Sequence, residues 1–431
     1  MDGAASALER HVASRGKIQI APKCAIHSLA DFSVWYTPGV AEACRAIVAA
    51  RERAFDVTNR ANTIAIVSDG TRVLGLGDIG PEAALPVMEG KSLLFKYLGG
   101  VDAVPLCVNA RDPDALVALV RALEPSFGGI NLEDIEQPKC FDVLDRLRAS
   151  MTIPVWHDDQ QGTAAVVLAA LSNALEVVGK RLDRVRIAMV GIGAANVATF
   201  RLLRAAGIDA GELVACDRKG TLHRGRTDLE TNPAATWKWR VCRESNARGV
   251  RGGIADALRD ADVCIAFSSS GPGVIDPSWI RAMRKDAVVF ACANPVPEIW
   301  PDDATRAGAA IVATGRGDFP NQVNNALAFP GIFRGVLDVR ARAITDDMAI
   351  AASLALARYA AESRLSRDRI VPSIDDAEVA VREAVAVGRA AIDAGLAAVC
   401  LSNQDLATSA RIAIERARGG LGALMRAGLI V

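Results

Sequence analysis

Between Arg186 and Asp217 the chain reads as a strand (RIAMV), a tight turn (Gly191-Ile192-Gly193-Ala194-Ala195-Asn196), a helix over Val197–Ala206 and a second strand over Glu212–Cys216. Such a unit commits its surroundings to an open, mostly parallel α/β sheet with ligands held beyond the carboxyl ends of the strands. Glycines in the turn let backbone approach a pyrophosphate, and the helix N-terminus favours its charge. Asn196 stands where the fingerprint has a third small residue, and an ordinary βα turn remains the competing reading. Asp217 follows 21 residues after Asn196, at the place from which a carboxylate bonds an adenosine ribose 2′-hydroxyl. That favours NAD, although Arg218 and Lys219 come next and could instead pair with a 2′-phosphate. The alternative role of Asp217 is a turn or helix cap.

The alternation continues on both sides. Apolar runs at Thr63–Ser68, Ala103–Val108, Val263–Ser268, Ala287–Ala291 and Ala310–Ala313 read as buried strands between alanine- and leucine-rich helical stretches. From Ile344 the pattern turns helical, with Thr345-Asp346-Asp347 as an N-terminal cap, and Ile370-Val371-Pro372-Ser373 reads as a crossover into a terminal helical segment. At 431 residues the chain exceeds what one core organises, so two domains are expected.

With 51% hydrophobic and 23% charged residues the chain is globular rather than disordered. Fifty Lys and Arg against fifty Asp and Glu leave no net field to hold nucleic acid or an anionic membrane. Nine cysteines without a C-x-x-C pair argue against a disulfide framework or structural zinc. Asp2, Glu9, Arg10 and His11 fall where a secretory signal needs an apolar core, and Ser172, Asn173 and Glu176 interrupt the most apolar stretch, Thr163–Val178. The expectation is a soluble, cytoplasmic protein without a membrane span.

Two acidic clusters precede the dinucleotide turn, Asn131-Leu132-Glu133-Asp134-Ile135 and His157-Asp158-Asp159-Gln160-Gln161. Each follows a strand-like run. Adjacent carboxylates repel one another unless a cation neutralises them, and Mg²⁺ or Mn²⁺ prefers such oxygen ligands; either cluster alone reads more often as a solvated cap, and their joint occurrence beside the dinucleotide turn shifts that balance. His157 lacks metal-ligand spacing and reads as structural. Lys91 opens an apolar helical stretch; it is a snorkelling surface residue or, beside a cation, a general base.

The blocks YTPGVAEAC, SDGTRVLGLGDIGPEAALPVMEGK, GINLEDI, HDDQQGTA, ANPVPEI and PNQVNNALAFPGIFRG occur in this order over about residues 30–355. Together they resemble the motif series of malic enzymes of the small-subunit prokaryotic type. The resemblance implies an N-terminal α/β catalytic domain over 1–160, a Rossmann-type NAD(P)-binding domain over 161–372 and C-terminal helices over 373–431. It places the general acid on Tyr36, the general base on Lys91, metal ligands on Glu133, Asp134 and Asp159, and an electrostatic support for the lysine on Asp158. Coenzyme contacts fall on Gly191, Gly193, Ala194, Ala195, Asp217, Asn294 and Asn325, and substrate contacts on Arg72, Asn294, Asn324 and Asn325.

The implied reaction is oxidative decarboxylation of (S)-malate to pyruvate and CO₂ with NAD or NADP and Mg²⁺ or Mn²⁺, in a homodimer or higher oligomer whose partner subunit can help complete the site. Two other enzyme readings remain: a malolactic conversion of malate to lactate with bound NAD, and a metal-independent amino- or hydroxy-acid dehydrogenase. A binding protein that merely keeps the fold is opposed by the presence of every ionisable position named.

Overall fold

A computed structural model describes residues 6–430; Asp2 lies outside the described residues. Two sheets carry the chain. In the first, β1 (Thr63–Ser68), β2 (Asp102–Cys107), β3 (Gly129–Leu132) and β4 (Val155–His157) pair in the order β2-β1-β3-β4, all parallel. The second comprises β5 (Ile187–Val190), β6 (Leu213–Asp217), β7 (Gly220–Thr221), β8 (Val263–Ala266), β9 (Ala287–Ala291) and β10 (Ala309–Thr314) in the order β10-β9-β8-β5-β6-β7, parallel except for β7. Ile64–Ser68 and Ile187–Val190 are wholly buried, which is why they read as unbroken apolar runs rather than alternating ones. After β6 and β7 the chain crosses to the other side of β5, so the carboxyl ends of β5 and β8 form the switch point where such sheets bind ligands.

The principal helices are α1 (Ala7–Ser14), α2 (Val40–Ala49), α3 (Pro81–Gly99), α4 (Pro113–Leu123), α5 (Lys139–Ser150), α6 (Thr163–Val177), α7 (Ala194–Ala205), α8 (Phe329–Asp338), α9 (Asp346–Glu362), α10 (Ala377–Asp393) and α11 (Asn403–Arg426). Helix α7 starts three residues before the expected Val197, because Gly193 takes extended backbone as N-cap and Ala194–Asn196 complete the first turn. Strand β6 ends one residue later than expected, placing Asp217 at its carboxyl end. The Thr345 side chain caps α9 by accepting from Met348 N–H, as read from sequence.

The C-terminal helices return to the first sheet. Phe329 and Phe333 of α8 meet Phe95 of α3 with ring centroids 4.4 and 5.3 Å apart, and all three are fully buried. Truncating any of them to alanine would cost about 3–5 kcal/mol. On α11, Ala413 backbone closes on Gly100, where an added Cβ would stand 2.6 Å from it.

The apolar stretch 163–178 is a core helix; Asn173, one of its polar interruptions, donates to the carbonyls of Ala357 (3.1 Å) and Ile370 (2.8 Å). Among the described residues no helix is long and apolar enough to cross a membrane, and all nine cysteines are free thiols. The N-terminal region is built differently. Neither α1 nor α2 buries a residue, and Leu29, Trp35 and Val48 expose 86, 55 and 86% of their surface.

Candidate active site

The carboxyl ends of β1, β3 and β4 present the acidic residues, and α3 brings Lys91 to them from the side. Lys91 Nζ lies 2.7 Å from Glu133 Oε1 and 2.5 Å from Asp158 Oδ2, and none of the three side chains is more than 8% exposed. Asn131 Nδ2 donates to Glu133 Oε2 at 2.9 Å, and Trp156 Nε1 donates to Asp158 Oδ1 at 3.2 Å. Asp158 begins a π-helical turn, Asp158–Gly162, a form found often at functional sites. Gly162 makes the turn possible, since a Cβ there would stand 1.8 Å from Asp158 Oδ1.

Asp134 follows β3 in the left-handed region (φ 54°), uncommon for any residue but glycine and held here by its surroundings. The enforcement is visible: its N–H donates to Asp159 Oδ2 at 2.8 Å and its carbonyl accepts from Arg72 N–H at 3.0 Å. Glu133, Asp134 and Asp159 each turn one carboxylate oxygen to a common point, all within 4.8 Å of one another. Asp134 Oδ2 is buried with no hydrogen-bond partner. Three converging carboxylate oxygens, with a buried Asp134 oxygen left unpartnered, fit a hard divalent cation.

The electrostatics agree. Four carboxylates, Glu133, Asp134, Asp158 and Asp159, face one ammonium. Burial, then the charge of Asp159, pushes Asp134 up to about 8, and burial raises Glu133 and Asp158 as well. For Lys91 burial alone acts downward, but the charges of Asp158, Glu133 and Asp159 outweigh it and hold the ammonium above lysine's ordinary value. His157, fully buried with both ring nitrogens unpartnered, is pushed down to about 4 by burial and so is neutral at pH 7.

The second sheet delivers the dinucleotide turn to the same cleft. Gly191 has φ 81° and sits so close to the strand β8 exit that a Cβ would meet the Phe267 carbonyl oxygen at 2.4 Å; only glycine fits. Asn196 replaces the third small residue with a tie: its buried amide donates to the carbonyls of Val190 (3.2 Å) and Gly191 (2.7 Å). Proximity across the cleft shows at the glycines. A Cβ on Gly193 would be 3.9 Å from Gln137 Nε2, one on Gly162 would be 3.4 Å from Asn325 Cβ, and one on Gly75 would be 3.2 Å from the Asn294 carbonyl oxygen. Asn294 is exposed at the cleft; Asn324 uses its side-chain oxygen to accept from Ala326 N–H at 2.9 Å. Arg72 is exposed beside Asp134.

Two expected residues stand outside this gathering. Tyr36 is 69% exposed in the N-terminal region, whereas Lys91 is buried. Asp217 is paired with Arg226, both of whose terminal nitrogens lie 3.0 Å from its oxygens. The structure adds supports that sequence reasoning passed over. Asp69, fully buried, pairs with Lys139 on α5 at 2.6 Å and accepts from Thr71 Oγ1 at 2.6 Å, pinning the loop that carries Arg72. Glu298 accepts from the N–H groups of Ser268 (2.7 Å) and Ala293 (3.0 Å), which ties the β8 exit to the Asn294 loop. Asp69 and Glu298 lie within the quoted blocks, but the partners that tie them to other elements, Lys139 and Ser268, are distant in sequence and outside any block, so they do not announce themselves.

Comparison with known proteins agrees with this architecture. Residues 15–148 match the family model described as malic enzyme, N-terminal domain, and residues 160–392 the one described as malic enzyme, NAD binding domain. A bifunctional malic/malolactic enzyme of Bacillus subtilis is 45% identical over 94% of this chain and 97% of its own length. An NAD-dependent malic enzyme of Geobacillus stearothermophilus is 45% identical over 89% of this chain and 78% of its own, and an NADP-dependent malic enzyme of Halomonas elongata 44% identical over 85% and 88%. Among solved structures, the malic enzyme of Entamoeba histolytica superposes with a TM-score of 0.96 at 46% identity, covering 98% of this chain and 88% of that one.

Proposed function

The chain belongs to the malic enzyme family, and from that premise we propose that it converts malate to pyruvate and CO₂ while reducing NAD or NADP, with a bound Mg²⁺ or Mn²⁺. The observation that carries the reading is the buried Lys91 ammonium bonded to Glu133 and Asp158 beside the oxygens of Glu133, Asp134 and Asp159. The three converging carboxylate oxygens favour a metal-dependent reaction over a metal-independent dehydrogenase.

A divalent cation, when bound, polarises the substrate's C2 oxygen in both the oxidation and the decarboxylation, and the nicotinamide accepts the hydride. Glu133, Asp134 and Asp159 hold that cation. Lys91, once the carboxylate charge is taken up, removes the proton of the C2 hydroxyl; Asp158 keeps its Nζ in place. Oxaloacetate then loses CO₂ from C4, and Tyr36 protonates C3 of the enolpyruvate. Gly191, Gly193, Ala194 and Ala195 hold the pyrophosphate at the N-terminus of α7, Asp217 lines the adenosine end, and Arg72, Asn294, Asn324 and Asn325 contact the malate carboxylates and the nicotinamide.

We assign a homodimer to this enzyme. Tyr36 faces solvent on a segment whose apolar side chains are uncovered, so a second copy supplies both the cover and the site into which that Tyr36 reaches. Nine free thiols suit a reducing cytoplasm.

The deciding measurement is a spectrophotometric assay with malate, NAD or NADP, and Mn²⁺, with pyruvate and lactate quantified. Pyruvate and reduced nicotinamide should appear in equal amounts and vanish on chelation. Lactate without net reduced nicotinamide would establish the malolactic reaction instead, and chelator-resistant oxidation a metal-independent dehydrogenase.

A further inference from the structure

Asp217 closes β6 where a carboxylate would read the adenosine ribose, yet both of its oxygens are already engaged. Arg226 Nη1 donates to Oδ1 and Nη2 to Oδ2, each at 3.0 Å, Lys219 N–H donates to Oδ1 at 2.9 Å, and Lys238 Nζ stands 3.6 Å from Oδ2. A carboxylate offers about four acceptor directions; three are taken by hydrogen bonds, and Lys238 adds a neighbouring positive charge without a fourth. Arg226, only 8% exposed, is gripped from its other side by Asp228: Nε donates to Oδ1 at 2.7 Å and Nη2 to Oδ2 at 3.1 Å. With Thr221 O accepting from Nη1 at 3.4 Å, all five guanidinium N–H groups have acceptors. The Asp217 carboxyl, which burial alone would raise, is held below its ordinary range chiefly by its bonds from Arg226 and Lys219 N–H.

The charge left over is positive. Asp217 and Asp228 face Arg226, Lys219, Lys238 and the exposed Arg218, and among the described residues Arg218 makes no ion pair or side-chain hydrogen bond.

On the reading of the chain as an NAD(P)-dependent malic enzyme, we propose that the Asp217–Arg226 clamp makes this end of the coenzyme site a receptor for the 2′-phosphate of NADP, with Arg218 as its ligand. A carboxylate paired with a guanidinium through both oxygens and already accepting three hydrogen bonds is a poor acceptor for a 2′-hydroxyl and no longer repels a 2′-phosphate. An unpaired guanidinium on the next residue then decides the preference, since its planar fork matches a phosphate. This reverses the NAD preference that Asp217 suggests in the sequence, where Arg226 gives no sign of its partner.

Titration calorimetry of the full chain with adenosine 2′,5′-bisphosphate and with adenosine 5′-monophosphate, without malate or metal, tests the proposal. The bisphosphate should bind tighter by about tenfold or more. In Arg218→Gln that advantage should disappear, with monophosphate affinity changed less than about twofold. Arg226→Leu, which frees the Asp217 carboxylate, should invert the preference; because that variant breaks a buried cluster and could fail to fold, the surface variant Arg218→Gln stands as the independent test. A smaller advantage in the unaltered protein, a preference for the monophosphate, or an equal loss of both ligands in Arg218→Gln would overturn the proposal. Binding of half a coenzyme requires no turnover, so absence of malate oxidation would refute the catalytic reading and leave this one standing.

Discussion

Replacing Lys91 with alanine probes the charge balance on which the site depends. Its Nζ bonds Glu133 and Asp158 at 2.7 and 2.5 Å, and the two carboxylates are 5 and 0% exposed, so truncation strands both without their counter-charge. Breaking a buried pair from one side costs about 3–5 kcal/mol, most of it from the uncompensated partner. The alkyl chain and the ammonium that sits 4.5 Å from the Phe329 ring are lost as well. Urea unfolding of the metal-free variant should therefore show stability reduced by at least about 3 kcal/mol. Mn²⁺ should return part of that deficit, because a dication supplies the positive charge the carboxylates have lost, and its stabilising increment should be larger in Lys91→Ala than in the unaltered protein. Activity should not return with it. Without the base, malate oxidation should fall by a factor of about 10² to 10⁴ even at saturating Mn²⁺, and a small amine in solution should restore a fraction. Equal unfolding curves without metal and equal Mn²⁺ increments would refute the counter-charge role, and oxidation within about tenfold of the unaltered enzyme would refute the base.

Asp159→Ala removes the oxygen that faces Glu133 and Asp134 and also the acceptor of Asp134 N–H, so Mn²⁺ binding, malate oxidation and oxaloacetate decarboxylation should all be lost; retained Mn²⁺-dependent decarboxylation would make Asp159 a cap. Tyr36→Phe should chiefly slow exchange of pyruvate methyl protons with deuterium, and if the site takes Lys91 and Tyr36 from different subunits, mixing Tyr36→Phe with Lys91→Ala chains should recover up to about a quarter of full activity through hybrid dimers. Recovery no greater than the sum of the separate variants would place both residues in one subunit. Glu383 on α10 is fully buried with neither oxygen hydrogen-bonded, and burial raises its pKa well above 4.5. The folded protein then keeps a proton that the unfolded chain releases above that pH, so stability falls as pH rises, by up to about 1.4 kcal/mol per unit until the folded-state value is passed. Glu383→Gln lacks this slope, and its stability relative to the unaltered protein should grow from pH 5 to pH 8; parallel curves would refute the assignment.

What the sequence makes legible follows from how far each signal reaches. Strand β9 has the residues expected of it, Ala287–Ala291, because a strand buried on both faces announces itself by an unbroken apolar run. The turn at Gly191 is equally plain, since its constraint is local: a positive φ and a neighbouring carbonyl. Helix α7 starts three residues before the sequence pattern suggests, because Ala194 and Ala195 read as turn when taken with the glycines. Residues coupled through space leave no such mark. The pairs Asp69–Lys139 and Asp217–Arg226 join groups 70 and 9 residues apart, and neither spacing corresponds to a turn of helix or a step of strand.

The acidic site lies between these cases. Its residue types are visible in the sequence, but the reason they converge is not, because each is held by a departure from local preference. Asp134 adopts a left-handed backbone, Asp158 and Asp159 sit on a π-helical turn, and Gly162 keeps open the volume that Asp158 occupies. The left-handed backbone of Asp134 costs on the order of 1–3 kcal/mol and persists only where surrounding packing over-determines it. That packing comes from the whole molecule: the Asp69–Lys139 pair fixes the loop whose Arg72 N–H bonds the Asp134 carbonyl, and α8 returns Phe329 against the Lys91 ammonium. The strained positions are therefore where the two sheets and the C-terminal helices act on one point, and a site built there can bring carboxylates and an ammonium within 3 Å of one another, a density of charge that no single element of the chain would hold by itself.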